Sequence, residues 1–192
     1  MVELTTEFGP EIEPYYKLIG KLAITWAEFE LSVNEAIWEL ANVTREAGTC
    51  MTSQFIGPGP RFRCLVSLLN LRKAPDALVK AINVLSGEAE NLGRQRNRYL
   101  HDPLMRDRDT GRIYRMETTA DRTLKHIGIP VETEEIGRLV EKIETIDADF
   151  DDIYLRVLAE TPLWPRTQFE QSPGIRRHRS ARESSPSVRE SI

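Results

Sequence analysis

A chain of 192 residues with 40 % hydrophobic and 29 % charged side chains is long enough for one compact domain with tails and apolar enough to give it a core. Its formal net charge of −4 is unlike that of strongly basic nucleic-acid-binding chains, so any affinity for nucleic acid has to come from a local basic site. No apolar run approaches a membrane span, the acidic start MVELTTEFGPEIEP lacks the apolar stretch of a signal peptide, and Cys50 and Cys64 form neither a disulfide framework nor a metal-ligand set, so a cytoplasmic, reduced protein with no membrane partner is expected.

Residues 1–12 read as an extension. In the stretch EPYYKLIGKLAITWAEFELSVNEAIWELANV, residues Tyr15, Ile19, Leu22, Trp26, Phe29, Val33, Ala36 and Leu40 recur at alternating spacings of four and three. That spacing predicts a long amphipathic helix. Residues 43–60 break the pattern, and GPGP at 57–60 reads as a loop in which Pro60 suits the first turn of a helix. RFRCLVSLLNLRK follows as a short apolar helix carrying Leu65, Leu68 and Leu69. Pro75 opens a third helix, with Leu78, Ile82, Leu85, Ala89 and Leu92 as its stripe. The same count then lands on Arg96, where an apolar residue is due, and pattern breaks of this kind are expected where function competes with packing.

Pro103 disfavours helical geometry at Asp102, so the third helix should end near His101. The turn signal Asp109-Thr110-Gly111, with GRIYRMET and RTLKHIGI around it, predicts a small hairpin or ordered loop. A fourth helix spans TEEIGRLVEKIETIDADFDDIYLRVLAE, with the stripe Ile136, Leu139, Ile143, Ile146, Phe150, Ile153 and Val157. Residues 161–192 are rich in Ser, Pro and Arg and read as a disordered basic tail. The expected fold is all-α, an up-and-down four-helix bundle over residues 13–160.

The chemistry concentrates in Arg96-Asn97-Arg98-Tyr99-Leu100-His101. Asn97 and His101 are four apart and share a helix face, and the long side chain of Arg96 can sweep toward the same patch. A histidine able to move a proton, an arginine able to hold a phosphate and stabilise charge on its oxygens, and an amide to orient either one suit RNA cleavage by its own 2′-hydroxyl. The sequence contains no HExxH, Walker A, dinucleotide-binding or GxSxG motif.

RNRYLHD resembles the Arg-x4-6-His signature of HEPN domains, with Asn97 as the polar residue that commonly follows the arginine. The motif's place at the end of the third helix of a bundle fits as well. The resemblance covers residues 13–160 as architecture, though its specific residues are only these few. It implies a small α-helical homodimer and a metal-independent endoribonuclease of toxin–antitoxin or defence type, with no cofactor and no metal. The partners it implies are RNA and an antitoxin or other protein. In that family the arginine and histidine line a cleft between two copies. Carried across, Arg96 would bind phosphate and stabilise charge, His101 would transfer the proton, and Asn97 would be the polar partner. Arg94 also stands within the permitted spacing and shares the His101 face more closely; Arg96 is preferred because Asn97 follows it.

Arg94, Arg98, Arg106 and Arg108 are weaker candidates for RNA-backbone contacts. Glu28 and Glu30 read as a solvated face, Trp26 and Trp38 as core or interface residues, and His126 and His178 as histidines without a catalytic constellation. Two other readings compete. One is a non-catalytic HEPN-like module binding nucleotide, RNA or a protein. The other is a plain helical dimerisation protein in which Arg96 makes an interface ion pair.

Overall fold

The structure is a computed structural model and describes residues 3–120 and 123–161. The period-3.6 stripes fold as helices that bury those stripes. The long first helix, α1, spans Glu13–Ala41. A short α2 covers Arg45–Thr52, followed by α3 at Pro58–Leu71, α4 at Asp76–His101 and α5 at Thr133–Glu160. Helices α1, α3, α4 and α5 pack around one core. Its centre is aromatic. The rings of Trp26 and Phe29 lie 5.6 Å apart, and Phe29, Phe62 and Phe150 meet pairwise at 6.2–6.3 Å. One residue each from α1, α3 and α5 therefore ties these three helices together.

The all-α expectation is corrected: the described residues are mostly helical but include a four-stranded antiparallel sheet in the order β1-β2-β3-β4. The strands are β1 at Leu4–Thr5, β2 at Leu104–Asp107, β3 at Ile113–Thr119 and β4 at Lys125–Pro130. The segment read as one small hairpin makes two, β2–β3 and β3–β4, and recruits Leu4–Thr5 as an edge strand against Arg106–Asp107. The physical cause lies in the turns. Pro103 forces extended backbone after α4. The Asp107 carboxylate then accepts from the backbone N–H of Asp109 at 2.9 Å and of Thr110 at 3.4 Å. Gly111 supplies the positive φ of 72° that closes the turn.

Residues 1–12, read as an extension, also contribute a 3-10 turn at Pro10–Ile12 that buries Ile12. Helix α2 falls in the stretch that showed no helical pattern, because its inward residues are Gly48 and Thr52 rather than an apolar stripe. Trp38 covers it and donates from Nε1 to Thr52 Oγ1 at 3.2 Å. The Thr44 side chain caps it by accepting from Ala47 N–H.

Two glycines of α4 play opposite roles. A Cβ on Gly93 would stand 3.1 Å from Trp26 Cη2 and 3.5 Å from Pro58 Cγ, so α4 approaches α1 as closely as it does only because the side chain is missing. Gly87 faces open space. Gly93→Ala is expected to destabilise the protein by about 1–3 kcal/mol through overpacking. Gly87→Ala should stabilise it by about 0.5–1 kcal/mol through helix propensity alone. Urea unfolding of the two variants measures both signs.

Candidate functional site

The candidate site is built where α4 stops. Asp102 leaves the helix with extended backbone (φ −78°, ψ 132°) while its N–H still bonds Arg98 O at 3.1 Å. Its carboxylate accepts from Arg115 Nη1 on β3 and pairs with Arg98 at 3.6 Å. Glu117 on β3 closes the network, 3.3 Å from both Arg98 and Arg115. Arg115 and Asp102 are only 12 % and 13 % exposed, so removing either partner would leave a largely desolvated charge uncompensated. The Arg115 guanidinium also stands 5.7 Å from the centre of the Tyr99 ring. These contacts pin the last turn of α4 to the sheet and hold His101 on a rigid element.

Arg96 occupies the position that the stripe of Leu85, Ala89 and Leu92 assigns to an apolar residue, and it is half-buried accordingly. Its guanidinium lies over the Trp26 ring, 6.0 Å from the centroid. Nη1 donates to Asn97 Oδ1 at 3.0 Å. Nε is buried and has no hydrogen-bond partner among the described residues. Burial pushes the guanidinium pKa down from its ordinary value, and the nearby Glu30 carboxylate offsets part of that. The cation is therefore partly stripped of water and only partly paired, a state in which an incoming anion is bound more strongly than at an open surface.

The structure joins Arg96 to Asn97 directly. It places His101 one turn beyond Asn97 on the same face, at about the 5–6 Å Cβ spacing of such pairs. His101 is exposed, and no hydrogen bond or ion pair engages its ring among the described residues. Arg94 is likewise exposed and outside any ion pair among the described residues, seven residues from His101 on α4's outward face.

The other three weaker basic candidates are already engaged. Arg98 belongs to the Asp102–Glu117 network, Arg106 pairs with Glu11 at 2.6 Å, and Arg108 pairs with Glu3 at 2.9 Å. Of the other histidines, His126 Nδ1 hydrogen-bonds Thr118 Oγ1 on the neighbouring strand at 2.9 Å, while His178 and the rest of 162–192, including most of the stretch read as a basic tail, lie outside the described residues.

Glu30 does not stand alone: it pairs with Arg61 at 3.4 Å. Arg61 in turn holds Asn34 and the carbonyls of Phe55 and Gly57. Sequence reading missed Arg115, Glu117 and Asp102 as the brace of the site. The i, i+4 spacing of Arg98 and Asp102 was the one local signal, because β3 reaches them only through the sheet. Among the described residues, no group of three or more His, Cys, Asp and Glu side chains is placed to hold a metal ion, and no helix is long and apolar enough to cross a membrane. Comparison with protein-family models, curated proteins and solved structures finds no match to this chain.

Proposed function

We propose that this chain is a HEPN-like helical domain that cleaves RNA without a metal, at a composite cleft formed by two copies. The observation that carries this reading is the α4 terminus: a desolvated, half-paired Arg96 bonded to Asn97, with an exposed His101 one turn further along. The packing of α1, α3, α4 and α5 around a single core supports a HEPN-like bundle with an added sheet. In the reaction, the 2′-oxygen attacks the adjacent phosphorus and the bond to the 5′-oxygen breaks. His101 carries the proton that leaves the 2′-hydroxyl or reaches the departing oxygen. Arg96 stabilises the charge that builds on the non-bridging oxygens. Asn97 holds Arg96 and presents its amide to the phosphate. Arg94, on the His101 face, suits the neighbouring backbone phosphate. A cytoplasmic toxin or defence setting, with an antitoxin or other protein partner, belongs to this proposal.

Arg96→Ala is expected to lower the rate of RNA strand breakage by about 10²- to 10³-fold, as removal of one charge-stabilising donor does. A mixture of the Arg96→Ala and His101→Ala proteins, allowed to exchange subunits, should recover cleavage if each site takes its arginine from one copy and its histidine from the other. Failure to recover would place both groups in one chain.

A second reading is favoured by one observation: His101 has no partner among the described residues to orient it, whereas Arg96 is bonded to Asn97. A non-catalytic module would bind RNA in an Arg96-dependent way and leave it intact.

A further inference from the structure

The outer edge of β4 is open. Among the described residues β3 alone pairs with it, along an unbroken antiparallel register from Thr119↔Lys125 to Tyr114↔Pro130. Just beyond that register, Val131 N–H donates to Ile113 O at 3.0 Å. Backbone groups alternate along a strand, so Lys125, Ile127 and Ile129 bond inward to β3. The N–H and C=O groups of His126 and Gly128 point outward, where no described strand meets them. Natural edges of this kind are blunted by a bulge, a proline, a charge or shortness. The opposite edge strand, β1, is two residues long. β4 has six residues, no bulge, and its proline only at the last position. Large apolar side chains also stand free there: Leu124, just before the strand, is 66 % exposed and Ile127 is 50 % exposed.

This edge complements itself. A second copy can lie antiparallel to it with the twofold axis at Ile127. His126 then exchanges both backbone bonds with the partner's Gly128, and symmetry repeats the pair. Leu124 N–H reaches the C=O of the partner's Pro130, an acceptor that proline keeps. The opposing side chains match as well. Ile127 meets the partner's Ile127, Leu124 meets the partner's Pro130, and Lys125 faces the partner's Ile129, so no like charges oppose each other. Neighbouring registers are poorer. An axis at Gly128 shortens the ladder, because His126 then falls opposite the partner's Pro130 and Leu124 runs past the strand end. An axis at His126 sets imidazole against imidazole and replaces the isoleucine pair by Lys125 on the partner's Ile127.

We infer that the open edge of β4 joins two copies of this chain, merging their four-stranded sheets into one continuous sheet centred on Ile127. The joint rests on the strand and not on the ribonuclease reading, but it bears on the two-copy cleft. Ile127 stands opposite Glu117 on β3, and Glu117 lies 3.3 Å from Arg98 in the brace of α4. The twofold axis of such a pair is perpendicular to the sheet. Both α4 termini therefore come to one face of it, with the two Glu117 backbones three strand spacings apart, roughly 14 Å. A joint of one strand per copy is small among specific interfaces, under about 1,200 Å² of buried surface, so the dimer is expected to dissociate in the micromolar range.

The test is sedimentation velocity of the full chain over a concentration series, with no RNA present. Ile127→Lys gives each monomer an opposite-charge pair with Glu117 but sets two ammonium groups face to face at the axis. Gly128→Pro removes an outward N–H and none that bonds β3, and a Cβ at Gly128 meets its neighbours at ordinary distances of 3.5–4.0 Å. Wild type should dimerise, and each variant should do so at least about tenfold more weakly while keeping its circular dichroism. Val84→Lys, at a residue 63 % exposed on α4, should dimerise like wild type. The register is read by a disulfide. In a Cys50→Ser/Cys64→Ala background, Ile127→Cys should cross-link under oxidised glutathione, since facing non-hydrogen-bonded residues stand about 4.5 Å apart at Cα. Lys125→Cys, several residues from its own symmetry mate, should not. Equal cross-linking at the two positions, or a dimer that survives both Ile127→Lys and Gly128→Pro, would overturn the β4 joint and leave the two-copy cleft standing. A wild type that stays monomeric throughout would overturn both.

Discussion

His101→Ala is expected to reduce RNA cleavage by about 10²- to 10⁴-fold, the range that general acid–base catalysis by a positioned side chain supplies. Stability should change by no more than about 0.5 kcal/mol, because the side chain is exposed and touches no partner among the described residues. That pairing of effects is diagnostic. A residue whose loss removes activity while leaving the unfolding midpoint in place acts on substrate, whereas a structural residue moves both. Because Arg96 and Asn97 remain bonded to one another, the variant should retain RNA affinity. Unchanged cleavage by His101→Ala would remove the proton carrier from the mechanism.

Trp26→Ala should show the opposite pairing. The side chain is 3 % exposed, meets Phe29 edge-on at 5.6 Å, lies against Gly93 and carries the Arg96 guanidinium over its face. Its truncation opens a cavity that α4, already at its closest approach, cannot fill. The expected cost is about 3–5 kcal/mol, a large share of the roughly 5–15 kcal/mol that such a domain has. The melting temperature should fall by about 2–4 °C per kcal/mol. Cleavage should also fall under conditions where the variant stays folded, because Arg96 loses a cation–π contact of about 0.5–2 kcal/mol along with its fixed position. Trp26→Phe keeps an aromatic face and should lose much less of both. A Trp26→Ala protein with native stability would mean that the α1–α4 contact is not what sets Arg96.

The helices were legible in the sequence because burial imposes a period that side chains reveal: Leu22, Trp26, Phe29 and Val33 on α1, and Leu78, Ile82, Leu85, Ala89 and Leu92 on α4, are all buried. Helix α2 was not legible, since the partner of Trp38 there is a glycine and a threonine rather than an apolar stripe. The sheet was half legible. Asp109-Thr110-Gly111 announced the β2–β3 turn, but the pairing of Leu4–Thr5 with Arg106–Asp107 joins segments a hundred residues apart and leaves no local trace. At the candidate site, the break in the α4 stripe at Arg96 and the stop imposed by Pro103 could be read directly. The Trp26 platform, the Asp102–Arg115–Glu117 brace and the absence of a side chain at Gly93 could not, because each depends on what other elements bring to that point. Gly93 shows this most clearly: on α4 alone it is a weak helix former, and only the Trp26 ring explains it.

Metal-independent cleavage at the α4 terminus by the RNA's own 2′-hydroxyl would leave a chemical signature on the product ends. The most direct measurement incubates the full chain with a defined RNA in excess chelator and identifies the chemical ends of the products. Fragments ending in 2′,3′-cyclic phosphate and 5′-hydroxyl groups, abolished by a single 2′-deoxy substitution at the cleaved position and by His101→Ala, are the predicted result. Intact RNA, or fragments with 3′-hydroxyl and 5′-phosphate ends, would contradict it.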